Sequence, residues 1–205
     1  MAQEYVKARG LDDVAARFGL GFVGSAIPGH ERYRDHLALP YLRPAGGEDS
    51  VATVRFRCIR NECVKDSDGR YFFETGQKEQ HEHKGGKYNS LPGDPPRMYN
   101  TKALIRPSRL LVVVEGEFDA MSWEAAGIPA VGAPGTGTWR DYWTPAFLGY
   151  ETVYLISEDA AGFTFMESLA AEMPNAKLVE MAGNLDSNST HLLEGSKGLL
   201  ERIGL

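Results

Sequence analysis

The sequence predicts an α/β protein: a parallel sheet flanked by helices over residues 110–205, preceded by a smaller mixed α+β subdomain over residues 1–109. Three observations carry this reading. After Leu110, short apolar runs alternate with amphipathic segments, the pattern of strand, helix and parallel strand. Before Leu110, strand-like runs are separated by turn residues and follow two short helical segments. The charge divides at the same place: residues 1–109 hold 18 Lys and Arg against 14 Asp and Glu, a net +4, whereas residues 110–205 hold 4 against 14, a net −10. A basic half beside an acidic half suits a protein that grips a polyanion with one and chelates cations with the other.

Taken in order, Ala2–Arg9 reads as a helix stopped by Gly10, and Asp12–Phe18 as a second stopped by Gly19, with Asp12 as the N-cap. HLALPYL, VATVRFRCIR and GRYFFE read as strands, divided by Pro44–Ser50 and by Lys65–Gly69, whose Asp68-Gly69 pair is a hairpin signal. Arg55 and Arg57 alternate with Val54 and Phe56, so one face of that strand is apolar and the other basic. Thr75–Pro96 is polar, rich in Gly, Lys and Pro, and reads as a long loop. LLVVV is the continuous apolar run of a strand buried on both faces, followed by a helix over Phe118–Ala126 that ends at Gly127. IPAVGA, TVYLI and KLVEM supply three more strands, with helices over Trp139–Leu148 and Ala161–Met173 and a broken terminal helix over His191–Ile203. Trp123, Trp139 and Trp143 are expected in the core rather than as base-stacking platforms.

With 42% hydrophobic residues, 205 residues bury a real core. There is no apolar run of about eighteen residues, and MAQEYVKARGLDD lacks an apolar signal segment, so neither a membrane span nor a signal peptide is expected. The chain is expected to be soluble and cytoplasmic, with Cys58 and Cys63 as free thiols. Cys58-x4-Cys63 with His81-Glu82-His83 offers zinc-ligand types, but Cys58 falls in a strand, the intervening segment is long and the usual Cys-x2-Cys pairs are missing. The reading therefore goes against zinc.

In a parallel sheet, ligands collect beyond the carboxyl ends of the strands. Acids follow three of them here: Glu115-Gly116-Glu117-Phe118-Asp119, Ser157-Glu158-Asp159 and the Asp186 segment. Crowded carboxylates repel, which costs stability unless a cation neutralises them, and hard oxygen ligands choose Mg2+ or Mn2+. Each acid alone is also explained as a solvated strand end or a helix cap, as Asp119 and Asp159 at helix starts would be. The Gly132–Gly137 stretch, GAPGTG, adds backbone N–H groups suited to a phosphate, without the Gly-Lys-Ser/Thr ending of a P-loop.

VVVEGEFDAMSWEAAGI, AVGAPGTGT, VYLISEDAAG and NLDSNSTHLLEG together resemble the Toprim domain shared by bacterial-type primases, topoisomerases and some nucleases. EYVKARGLDDVAARFGLG, HLALPYL, VRFRCI and GGKYNSLPGDPPRMYN resemble the N-terminal part of a replicative primase core, and the chain's length is similar to that of bacteriophage primases. The resemblance implies a primase-core N-terminal subdomain over 1–109 and a Toprim domain over 110–205. It implies an enzyme that makes short RNA primers by divalent-metal-dependent transfer of nucleotides on a single-stranded DNA template, from ribonucleoside triphosphates. Glu115 and Asp159 match the family's catalytic acids; Glu115, Glu158, Asp159 and Asp186 are the implied metal ligands, with Mg2+ or Mn2+. Lys87 and Arg57 match residues that track template or nucleotide, and Arg55 and Arg97 are expected beside them as further nucleic-acid or nucleotide contacts. The first acid of the family's Asp-x-Asp pair falls on Ser157, so either Glu158 reaches the site or a ligand is lost. Relatives carry zinc-binding and helicase domains outside the core, which implies a separate helicase or zinc-binding primase subunit as partner, in a bacterial host's cytoplasm for a phage-encoded chain. The alternatives are a Toprim nuclease and a degenerate subunit of a replication complex.

Overall fold

A computed structural model of the chain describes residues 1–205 apart from Gly46, Glu48, Asp49, Lys84 and Thr136, and apart from the side chain of Asn184. Parts of three sequence-predicted segments, the Pro44–Ser50 connection, the Thr75–Pro96 loop and the GAPGTG stretch, therefore lie outside the described residues. The chain divides into two units, Met1–Pro40 with Val51–Asp94, and Tyr41–Ser50 with Pro95–Leu205.

In the first unit α1 (Ala2–Ala8) and α2 (Asp12–Ala15) lead into β1 (Gly21–Phe22), β2 (His36–Leu42), β3 (Val51–Cys58), α3 (Asn61–Val64) and β4 (Tyr88–Asn89). The strands form a sheet in the order β1-β2-β3-β4. Its outer pairs are antiparallel, with Gly21 opposite Ala38 and Arg57 opposite Tyr88. Gly10 and Gly19 end their helices at φ 66° and 62°, left-handed values that a residue with a Cβ resists. Asp12, expected as the N-cap, is instead the first residue of α2, and Leu11 occupies the cap without a side-chain bond.

GRYFFE, expected as a strand, is not one. Tyr71 makes a single bridge to Lys65, and Phe72–Glu74 is a 3-10 turn. The cause is local. The Glu74 carboxylate accepts from the Tyr71 N–H at 3.0 Å and closes the turn. Tyr71 and Phe73 stack on each other and meet the edge of Tyr5 in α1, at 5.5 and 5.8 Å between ring centroids. The aromatic side chains thus bury against a helix rather than in a sheet.

In the second unit a 3-10 turn over Thr101–Ile105 precedes β5 (Leu110–Val114), α4 (Glu117–Ala125), β6 (Ala130–Gly132), β7 (Thr152–Ser157), α5 (Ala160–Glu172), β8 (Ala176–Glu180) and α6 (Ser187–Arg202). The sheet is parallel throughout, in the order β6-β5-β7-β8. Its two middle strands are apolar on both faces, and Leu111, Val113, Val153 and Leu155 join Phe165, Met166 and Leu169 of α5 in one core. Trp123 is fully buried and donates its Nε1–H to Ser187 Oγ at 3.1 Å, while Trp139 packs on the core, as expected of both.

Two expectations are corrected here. Trp139–Leu148 is not an α-helix: Asp141–Phe147 forms a 3-10 run around Pro145, which lacks the N–H and the space that an α-helix interior demands. The division of the chain falls near Asp94 and not at Arg109, because Tyr41 Oη donates to Glu117 at 2.8 Å, Thr101 Oγ1 donates to Leu42 O at 3.2 Å and Tyr99 bridges to Gly132. The predicted break in the last helix is real, at Gly195 with φ 70° and ψ −171°. No helix among the described residues is long and apolar enough to cross a membrane.

Candidate functional site

The parallel sheet delivers its acids to one edge. Glu115 follows β5, Glu158 and Asp159 follow β7, and Asp186 precedes α6 beyond β8. Asp159 caps α5 by accepting from Gly162 N–H at 2.8 Å, and Asp186 caps α6 through Ser189 N–H at 2.6 Å. The helix-cap explanation therefore applies to both. It does not apply to Glu115 or Glu158.

Glu115 is half-buried, and its Oε1 has no hydrogen-bond partner. Burial and the charge of Asp159 push its carboxyl above the usual carboxylate range. Glu158 is pushed well above that range, first by burial and then by Asp119, Asp186 and Glu115, against which it accepts from the Ser187 N–H at 3.1 Å and from the Ser187 hydroxyl at 3.4 Å. Five acids, Glu115, Asp119, Glu158, Asp159 and Asp186, thus share this edge, each acting on Glu115 or Glu158. Asp119, in the first turn of α4, is a member that sequence reading left as a helix-start acid; it also accepts from the Asn188 N–H at 3.0 Å, joining α4 to α6.

Ser157 is not at this edge in any useful sense. It is fully buried as the last residue of β7, and its hydroxyl reaches the Val179 carbonyl at 3.5 Å. Glu158, one place on, is the residue whose carboxyl meets the other acids. Two glycines make room: a Cβ on Gly116 would collide with Asp119 Oδ2, and one on Gly162 with Glu115 Oε1.

This crowding predicts a stability effect. Because folding raises the proton affinity of Glu115 and Glu158, these two carboxyls hold more protons in the folded state across the carboxylate range, and their own contribution to stability without divalent cations falls as pH rises through it. Glu158→Gln keeps an acceptor for Ser187 and removes a charge. At neutral pH without divalent ions it should melt roughly 2–4 °C higher, for about 1 kcal/mol of relieved repulsion. Scanning calorimetry on both proteins checks this.

The basic residues are divided between the two units. Arg97 belongs to the second unit, where its Nε is buried without a hydrogen-bond partner. The other three lie in the first unit. Arg55 lies over the Tyr88 ring at 4.5 Å, and Lys87 is half exposed, its Nζ 3.8 Å from Glu79 Oε2. Arg57, on the face of β3 expected to be basic, is 0% exposed. Its Nη2 donates to Glu79 Oε1 at 2.6 Å and to Tyr5 Oη at 3.3 Å, and its guanidinium lies over Tyr88 at 4.7 Å. Glu79, which sequence reading missed, also accepts from Arg9 at 3.3 Å and from His81 Nε2 at 2.7 Å. Burial alone would raise the Glu79 carboxyl, but Arg57, the His81 hydrogen bond, Lys87 and Arg9 hold it below its ordinary range. A lone glutamate in a polar loop carries no sequence signal for such a role.

One correction concerns the cysteines. Both are buried free thiols, as expected, yet the structure brings Cys58, Cys63, His81 and His83 together, with ligand atoms all within 4.8 Å of one another. The carboxylates of the sheet edge do not converge this tightly.

Similarity to known proteins fits the geometry. No protein-family model matches the chain. It is 38% identical over 173 residues to the Gene 57 protein of Mycobacterium phage D29, covering 83% of this chain and 99% of that one. Among solved structures it superposes on the Aquifex aeolicus primase, zinc-binding and RNA polymerase domains, with a TM-score of 0.71 at 22% identity, over 98% of this chain and 55% of the other. It also superposes on the RNA polymerase domain of Mycobacterium tuberculosis primase DnaG, in complex with a double-stranded DNA oligomer bearing a 6-nucleotide overhang, with a TM-score of 0.71 at 19% identity, over 98% of this chain and 72% of the other. The chain belongs to the family of the mycobacteriophage Gene 57 protein and has the fold of a bacterial-type DnaG primase catalytic core.

Proposed function

We propose that this chain is a DNA primase-like nucleotidyltransferase, making short RNA primers on single-stranded DNA from ribonucleoside triphosphates by divalent-metal-dependent phosphoryl transfer. The observation that carries the reading is the mutually repelling acid cluster at the carboxyl ends of parallel strands, on a primase-core fold. Glu115, Glu158, Asp159 and Asp186 would hold Mg2+ or Mn2+. They fit a hard cation because the donors are all carboxylates, one of them with a buried oxygen lacking any partner. When bound, the ions supply charge neutralisation for the attacking and leaving oxygens of an in-line displacement.

The chain's own residues do the rest. Glu115 and Asp159 are the catalytic acids of this proposal, and Asp159 and Asp186 keep their carboxylates fixed by capping α5 and α6. Lys87, Arg55 and Arg97 would neutralise template or nucleotide phosphates. Arg57, already neutralised by Glu79, acts on the nucleic acid only by shaping the β3 and β4 edge that carries Lys87 and Tyr88. The position of Glu158 supports an active enzyme over a degenerate subunit, since the acid missing at Ser157 is supplied one residue later. A separate helicase or zinc-binding primase subunit, in the cytoplasm of a bacterial host, would complete the machinery.

The test is incubation of the chain with single-stranded DNA, labelled ribonucleotides and Mg2+ or Mn2+. Metal-dependent short RNAs support the proposal; shortening of the DNA instead would make the chain a Toprim nuclease. Gly162→Ala probes the same site from a neighbour. The added methyl displaces the end of the flexible Glu115 side chain and not the backbone. Thermal stability should hold while RNA yield falls about 100-fold, the scale of an ångström misplacement at a reacting centre.

A further inference from the structure

We propose that Cys58, Cys63, His81 and His83 form a structural zinc site that staples the first unit of the chain, independently of whether the chain makes primers. Cys58 ends β3, and Cys63 lies in α3, the helix that follows. The chain then turns through Asp66–Arg70, where Asp66 N–H donates to Arg70 O at 2.9 Å, and passes the 3-10 turn of Phe72–Glu74. It returns with Gln80 N–H donating to the Cys63 carbonyl at 2.9 Å. That bond lays His81 and His83 against the two sulfurs, with all four ligand atoms within 4.8 Å.

The donor set is specific. Two thiolates and two imidazoles are the ligands of structural Zn2+, whose bond lengths imply tetrahedral edges of about 3.3–3.8 Å, so the cluster needs to contract by no more than about 1.5 Å to close on the ion. Four protein ligands leave no open position, which makes the site structural and not catalytic.

The histidines are prepared for ligation. The His81 side chain is 7% exposed. Its Nε2 faces the Glu79 carboxylate at 2.7 Å, which can only accept, so the proton is on Nε2 and the Nδ1 lone pair is free. Nδ1 is buried and has no hydrogen-bond partner. This is the carboxylate–histidine–metal arrangement in which the outer acid fixes the ring and raises its basicity. His83 Nε2 stands 3.3 Å from Cys58 Sγ. Ligation through Nε2 places the ring proton on Nδ1, so the contact from Gly85 N–H, 3.2 Å in length, gives way on loading.

The site also answers a problem of local order. Thr75–Pro96 is long and polar, and the two residues of β4 are the strand content of its described residues. A cross-link from β3 and α3 to His81 and His83 shortens the free part of this loop just before Lys87, Tyr88 and Asn89 pair with β3. Metal binding of this kind adds directly to folding stability.

The experiment is metal analysis of the full chain, purified in reducing buffer with any affinity tag removed, followed by exchange with Co2+. About one equivalent of zinc per chain is expected, with loss of that zinc in Cys63→Ser and in His81→Ala. The cobalt-loaded wild type should show the intense visible bands of tetrahedral Co2+ together with sulfur-to-cobalt charge transfer. The cobalt spectrum needs no variant, so the proposal stays testable even if the substituted chains fail to fold. Zinc-free protein with a weak, octahedral cobalt spectrum would overturn it, as would full zinc content in a folded Cys63→Ser.

Discussion

Glu115→Gln is expected to lose RNA primer synthesis by at least about 100-fold, the scale seen when a group that stabilises developing charge is removed from a site. The fold should be untouched. Oε1 of Glu115 has no partner to lose, and the carboxyl is already held above its ordinary range by burial and by Asp159, so the amide relieves repulsion rather than creating a vacancy. A melting temperature equal to or above that of wild type, together with lost product, separates a functional acid from a structural one. Comparable primer yield from wild type and variant would remove Glu115 from the chemistry.

Glu79→Ala is expected to have the largest effect on stability. It leaves Arg57, which is fully buried, without its carboxylate, and takes the same partner from Arg9 and His81. Removing one member of a buried ion pair costs about 3–5 kcal/mol, because the remaining charge stays in a poorly solvating interior. For a chain of this size that is roughly 2–4 °C in melting temperature for each kcal/mol. The pair need not be worth that much in itself. Glu79→Leu combined with Arg57→Met should recover part of the loss, since paired apolar replacements remove the stranded charge along with its partner. Calorimetry on the two variants decides it: a Glu79→Ala chain as stable as wild type would mean that the guanidinium of Arg57 finds water or another acceptor.

How much of this was legible in the sequence depends on the range over which the signal acts. His36–Leu42 and Leu110–Val114 form strands with the bounds the apolar runs suggest; burial on both faces writes itself into consecutive residues in the second, whereas burial alternates along most of the first. The acid edge was legible for a related reason: parallel topology fixes where strands end, and the acids follow immediately. Asp119 was harder, since its carboxylate enters from the first turn of α4 and is explained equally well as a helix-start acid.

The misses share a cause. GRYFFE has strand-forming residues, but Tyr71 and Phe73 find Tyr5 in α1, a partner that no local pattern announces. Alternation on β3 placed Arg57 on a basic face, and nothing in it announced that Glu79, twenty-two residues away, draws the guanidinium inward. The metal-ligand group needs the Cys63–Gln80 backbone bond to form, and spacing alone argued against it. In each case the deciding contact is distant in sequence and made by a residue unremarkable on its own.

The measurement that tests the central claim most directly is template-directed synthesis on homopolymers. With Mg2+ or Mn2+ and oligo(dT) as template, the chain should convert ATP, and not CTP, into short oligoribonucleotides, with no product when the template is omitted or the metal chelated. ATP incorporation that ignores template identity, or no product from a folded chain whose sheet-edge acids bind the cation in calorimetry, would contradict the assignment of this carboxylate edge to primer synthesis.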